Sequence, residues 1–168
     1  MHRFSAGSVI RGGIGVLVAG VLVGIPATAT EPPGNPAIAT QSKVTARYQD
    51  VRDDLLMAIE AEGFVVGAIG DLGGMLARSG TELGHQPAYL NAEYFNFCPA
   101  AIAHELVAAD PNNLAYCPFQ LFLYEAVARP GTIVVGYRHP GVDGNAATRA
   151  VLARAEQVFA DIAKAAVK

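Results

Sequence analysis

The chain has two cysteines, Cys98 and Cys117, within FNFCPAAIAHELVAADPNNLAYCPF, which runs from Phe95 to Phe119. Each follows an aromatic residue and precedes a proline. Such a pair suits three chemistries: a structural bridge, thiol–disulfide exchange, or soft-metal ligation. A bridge needs the two Cα atoms within about 4.4–6.8 Å. That spacing is reached if Cys98 ends one strand and Cys117 opens its antiparallel neighbour. Eighteen residues lie between them, and closing such a loop is worth about 3 kcal/mol in the chain-entropy account. Exchange chemistry would use Cys98, which sits just before an expected helix start where backbone N–H groups and the dipole favour a thiolate. Cys117 would then resolve the mixed disulfide, although the CxxC spacing of such centres is missing. Metal handling would recruit Met75, His85, His104 or His139, yet no HxxxH or CxxC supplies ligand spacing. His104 also falls about 120° from the apolar face formed by Ile102, Ala103, Leu106 and Val107, and is expected to face solvent. We read the pair as a structural disulfide, with redox or metal use as the alternative.

Other chemistry is thin. Gly70, Gly73 and Gly74 follow a strand-like run, but their spacing matches neither dinucleotide nor phosphate loops, and no lysine follows. Neither a GxSxG nor an acid–base dyad is present. Asp53, Asp54, Glu60 and Glu62 fall on the polar side of one helical pattern. These patterns assign no catalytic residue and imply no cofactor or metal. The aromatic residues are the better candidates: Tyr94, Phe95, Phe97, Phe122 and Tyr124 could line a pocket for a ligand.

The elements that must position these residues follow a leader. Arg3 and Arg11 precede an uncharged apolar run, Ile14 to Ile25, closed by Pro26 and by Ala27-Thr28-Ala29. This is the pattern of a signal peptide over residues 1–29, and the run falls short of the roughly 20 residues of a membrane span. Export would place the protein in the periplasm or outside the cell, where cysteines pair. An uncleaved anchor is the alternative. Loss of the leader takes the formal net charge from −3 to −5. No basic cluster remains, which argues against nucleic acid or an anionic membrane as partner. Residues 30–43 are rich in proline and small residues and read as a flexible linker. Residues 44–168 then form a single domain.

Within it, Val44, Ala46 and Tyr48 alternate as a short strand. Asp50 is expected to cap a helix carrying Val51, Leu55, Leu56 and Ile59, which Gly63 ends. Strands follow at Phe64–Ile69, Ala92–Phe97, Phe119–Glu125 and Thr132–Tyr137, with one small helix near Met75–Arg78 between the first two. Pro99–Ala109 reads as a further helix. Val151, Leu152, Ala155, Val158, Phe159 and Ile162 form one stripe of a long final helix. The order β-α-β4-α predicts an α+β fold with a mostly antiparallel sheet under two long helices. In FQLFLYE both alternations are apolar, so the second sheet face needs a cover. That cover is a homodimer interface, a ligand cavity, or the Asp71–Leu90 segment itself.

Several junctions in their order resemble the domain of unknown function 302 family. They are Glu62-Gly63-Phe64, Phe97-Cys98-Pro99, Ala109-Asp110-Pro111, Cys117-Pro118-Phe119, Leu123-Tyr124-Glu125, Gly136-Tyr137 and His139-Pro140. The resemblance implies a curved sheet of the TATA-binding-protein class and a dimer, with no established activity. It offers no catalytic residue to carry over, and the two Cys-Pro steps depart from the pattern of many members. The reading that results is an exported, non-enzymatic domain that binds a small hydrophobic ligand or a protein partner.

Overall fold

A computed structural model describes residues 35–168. The expected signal peptide lies outside these residues. The elements are β1 (Ile38–Val44), α1 (Tyr48–Ala61), β2 (Val66–Asp71), α2 (Leu72–Leu83), β3 (Tyr89–Phe97), α3 (Ala100–Ala109), β4 (Phe119–Ala126), β5 (Thr132–Arg138) and α4 (Ala146–Ala165). A 3-10 turn, Pro111–Tyr116, follows α3. The five strands form one antiparallel sheet in the order β1-β5-β4-β3-β2. This is the expected α+β architecture.

Three elements differ from the sequence expectation. The first strand is Ile38–Val44, inside the segment read as a linker, and it pairs with β5 from Ile38↔Arg138 to Val44↔Thr132. Arg47, rather than Asp50, occupies the N-cap of α1, and Asp50 lies in its first turn. The small helix is a full element of 12 residues, α2. Asp71 caps it by accepting from the Gly74 N–H at 2.7 Å, and Gly84 closes it at φ 74°, a left-handed position that glycine takes without strain.

Cross-strand pairs sort the residues by face, because side chains alternate along each strand. Phe95↔Leu121↔Tyr137 and Phe97↔Phe119 point to one side. There they are sealed by Val51, Leu55 and Ile59 of α1, Ile102 and Leu106 of α3, and Leu152, Phe159 and Ile162 of α4. Phe159 is the hub, with ring centroids of Phe97, Phe119 and Tyr137 at 5.6, 5.0 and 5.9 Å.

The opposite face solves its exposure differently. Tyr94 lies over Gly70 and Phe122 lies over Gly136, so each ring covers bare backbone on the neighbouring strand. A Cβ on Gly136 would stand 2.4 Å from the Phe122 ring and 2.6 Å from the Ala39 carbonyl oxygen. Gly136→Ala is therefore expected to cost about 1–3 kcal/mol through overpacking, read as a lowered urea midpoint. Gly67→Ala, whose Cβ would meet its nearest atom at 3.7 Å, is the matched control and should be neutral or slightly stabilising.

Candidate functional site

The two cysteines are joined. The Cys98–Cys117 bridge spans a Cα separation of 5.5 Å, and the pair Phe97↔Phe119 sets it at the shared end of β3 and β4. The two residues are not equivalent. Cys98 is exposed and Cys117 is half-buried. Cys98 also stands next to Pro99, the N-cap of α3, which offers no side-chain cap to the first helical N–H groups.

The aromatic candidates separate. Phe95 and Phe97 are 0% and 2% exposed and belong to the core beneath α1 and α4. The pairs Tyr94↔Phe122 and Ala92↔Tyr124 keep the other three on the far face, where they are half-buried. Tyr124 stacks on Phe122 at 6.1 Å and receives the edge of Tyr89 at 5.4 Å. Tyr89 in turn borders a cavity of about 310 Å³ between α2 and the segment leading into β3. Leu76, Ala77, Leu83 and Pro87 are among its apolar lining residues, with Ser79 and His85 at hand for polar contact. Leu72, Met75, Leu76 and Leu83 recur at helical spacing along α2 and stay exposed. The helix instead turns its small residues to the sheet: Gly73 approaches the Ala92 backbone so closely that a Cβ would stand 2.8 Å from its nitrogen.

A second cluster had no signal in the sequence. Arg52 of α1 grips Glu93 of β3, with Nε to Oε2 at 2.7 Å and Nη2 to Oε1 at 3.3 Å. The Tyr48 hydroxyl donates to the same Oε2 at 3.1 Å, and the guanidinium lies 5.8 Å over the Phe95 ring. Burial, then the charge of Glu93 and the bond to it, push the Tyr48 phenol above its ordinary range. At the other end of the sheet Tyr137 donates to Glu156 at 2.8 Å, and His139 meets the same oxygen at 2.8 Å. Burial and then that bond raise the Tyr137 phenol as well.

Residues 35–168 match the family described as Domain of unknown function DUF302. The chain belongs to the DUF302 family. A crystal structure of an uncharacterized conserved DUF302 protein from Bacillus stearothermophilus is similar in fold, with a TM-score of 0.65 and 18% identity. The match covers 79% of this chain and 99% of that one. No curated protein matches. Among the described residues of this DUF302 chain, no helix is long and apolar enough to cross a membrane.

Two outcomes are expected of this arrangement. Removing the bridge by Cys98→Ser with Cys117→Ser should cost the DUF302 domain about 3 kcal/mol, measured by urea unfolding against the oxidised protein. Alkaline stability should also fall in a defined window. The unfolded chain ionises its phenols near pH 10, while the folded chain keeps the Tyr48 and Tyr137 protons above it. The native state then binds more protons, so stability is unaffected below that pH and declines as pH rises beyond it. Tyr48→Phe with Tyr137→Phe should flatten the decline between pH 9.5 and 11, and an unchanged slope would clear these phenols of any part in it.

Proposed function

We propose that this protein is an exported, bridge-stabilised, non-enzymatic binding domain whose ligand is a small apolar molecule. The ligand sits in the groove between α2 and β3, and a second copy of the chain covers the adjoining aromatic face. One observation carries the reading: the apolar stripe of α2 is turned away from the domain's own core and borders a cavity that Tyr89 links to Tyr124 and Phe122. A volume of about 310 Å³ falls at the lower end of small-molecule sites, roughly 300–1,000 Å³. Contiguous exposed apolar surface of this kind marks a binding surface more often than a bare one. Export is supported by the Arg3–Ala29 pattern and agrees with the bridge.

The apolar fluorophore 1-anilinonaphthalene-8-sulfonate is a suitable first probe. Saturable enhancement is expected with the folded protein, together with a loss of about tenfold in affinity for Leu76→Gln with Leu83→Gln, since one or two buried apolar contacts account for that. Both side chains are exposed, so the fold should tolerate the change. Undiminished binding by the variant would remove the groove from consideration. Sedimentation equilibrium on the same sample reads the dimer, and intact mass of protein from the periplasm reads removal of residues 1–29.

The thiol-exchange alternative draws on the exposure of Cys98. A dithiol reductant would attack that bridge, leaving two thiols here and one disulfide on the reductant. Equilibration with a glutathione buffer separates the readings, because structural bridges typically have potentials below about −300 mV.

A further inference from the structure

A polar cleft lies on the other side of the first turn of α2. Adjacent glycines mark the division: Gly73 lines the apolar groove and Gly74 lines the cleft. The cleft encloses about 550 Å³ between the start of α1, the start of α2 and the first half of β3. Its charged groups are Arg52, Glu93 and Asp71, with Tyr48 and Asn91 beside them.

What decides its chemistry is which donors and acceptors are already committed. Glu93 occupies the Nε and Nη2 side of Arg52. The remaining nitrogen, Nη1, makes only a long ion pair with Asp53 at 4.0 Å, beyond hydrogen-bond reach. The same guanidinium lies 5.8 Å over the Phe95 ring, within cation–π range. Asp71 commits only Oδ1, to the Gly74 N–H at 2.7 Å. Its Oδ2 has no hydrogen-bond partner among the described residues. Asn91 donates its amide to Glu125 at 3.1 Å, which leaves its side-chain carbonyl oxygen as an acceptor. One small site therefore holds an uncommitted cationic donor on α1 and uncommitted anionic and neutral acceptors at the ends of β2 and β3.

We propose that this cleft binds a small zwitterion of the α-amino-acid class. The ligand carboxylate pairs with Nη1 of Arg52, and its ammonium lies between Asp71 Oδ2 and the Asn91 carbonyl oxygen. Among the groups that line the cleft, Arg52 and Glu93 neutralise each other and Asp71 leaves one net negative charge. A simple anion meets that charge as repulsion. A simple cation satisfies Asp71 but shields Nη1 from water without giving it an acceptor, which is unfavourable for a half-buried donor. Only a ligand carrying both charges answers both sides. The cleft is independent of the apolar groove, so the two readings stand or fall separately.

The test is an amide-resolved NMR titration of the full domain with glycine, with methylamine and acetate as single-charge controls at equal ionic strength. Saturable shifts at Asp71–Gly74 and Asn91–Glu93 are expected for glycine and for neither control. Asp71→Asn keeps a capping side chain and removes the charge. Arg52→Gln with Glu93→Gln removes both partners together, so no charge is orphaned. Each variant should bind glycine about tenfold more weakly, the scale of one charge-assisted pair, while the groove's fluorophore binding stays unchanged. Equal shifts with either control, no saturable shift at these amides, or full glycine affinity in both variants would overturn the proposal.

Discussion

The register of β3 on β4 is the constraint on which the rest of this structure depends. Phe97 opposite Phe119 sends both rings into the core and, one residue beyond each, sets Cys98 and Cys117 at bridging distance. The same register brings Glu93 level with Leu123, under Tyr48 and Arg52 of α1. A slip of one residue would exchange the faces of every side chain on the strand. It would bury Tyr94 and Asn96 and expel Phe95 and Phe97. Core, bridge and polar cleft are thus three consequences of one alignment.

That alignment leaves the sheet with two unlike faces. The core face is closed by three helices, whereas the far face is closed only in part, by rings laid over Gly70 and Gly136. Flat rings exclude water from the backbone of a neighbouring strand, yet they present their other surface outward. The placement of α2 follows the same logic. Its close approach to β3 runs through Gly73, so its leucines cannot also reach the core. Close backbone packing and an exposed apolar stripe are two results of the same choice of residues.

What the sequence disclosed depended on how local the signal was. The long periodic stripes of α1 and α4 were readable because each covers several helical turns. The bridge was readable once a meander was assumed, since sequence-adjacent strands usually pair. β1 was hidden because an edge strand such as IATQSKV needs few apolar residues, and the prolines before it suggested a tether. α2 was underestimated because Gly73, Gly74 and Gly80 lower helix propensity, while its cap and its close packing on β3 override that preference. Period two alone puts Phe95 and Phe97 on the opposite face from Tyr94. The Arg52–Glu93 pair is different in kind. Its members are 41 residues apart, and only the packing of α1 on the sheet brings them together.

The excursion between β3 and β4 bears on what the bridge is for. Its two ends are tied by Cys98 and Cys117, but its middle is held independently. Asn113 donates to the Leu106 carbonyl and to Thr148 of α4, both at 2.8 Å. Asn145 reaches the Ala109 carbonyl at 3.0 Å, Arg154 pairs with Glu105, and Ile102 and Leu106 sit in the core. The two Asn113 bonds are buried and costly to break, because each leaves an unpaired polar group. Opening the bridge therefore frees the strand ends without releasing α3. A bond so placed raises stability mainly by restricting the unfolded chain. The exposed position of Cys98 is compatible with either use of that bond, since neither use requires the domain to unfold.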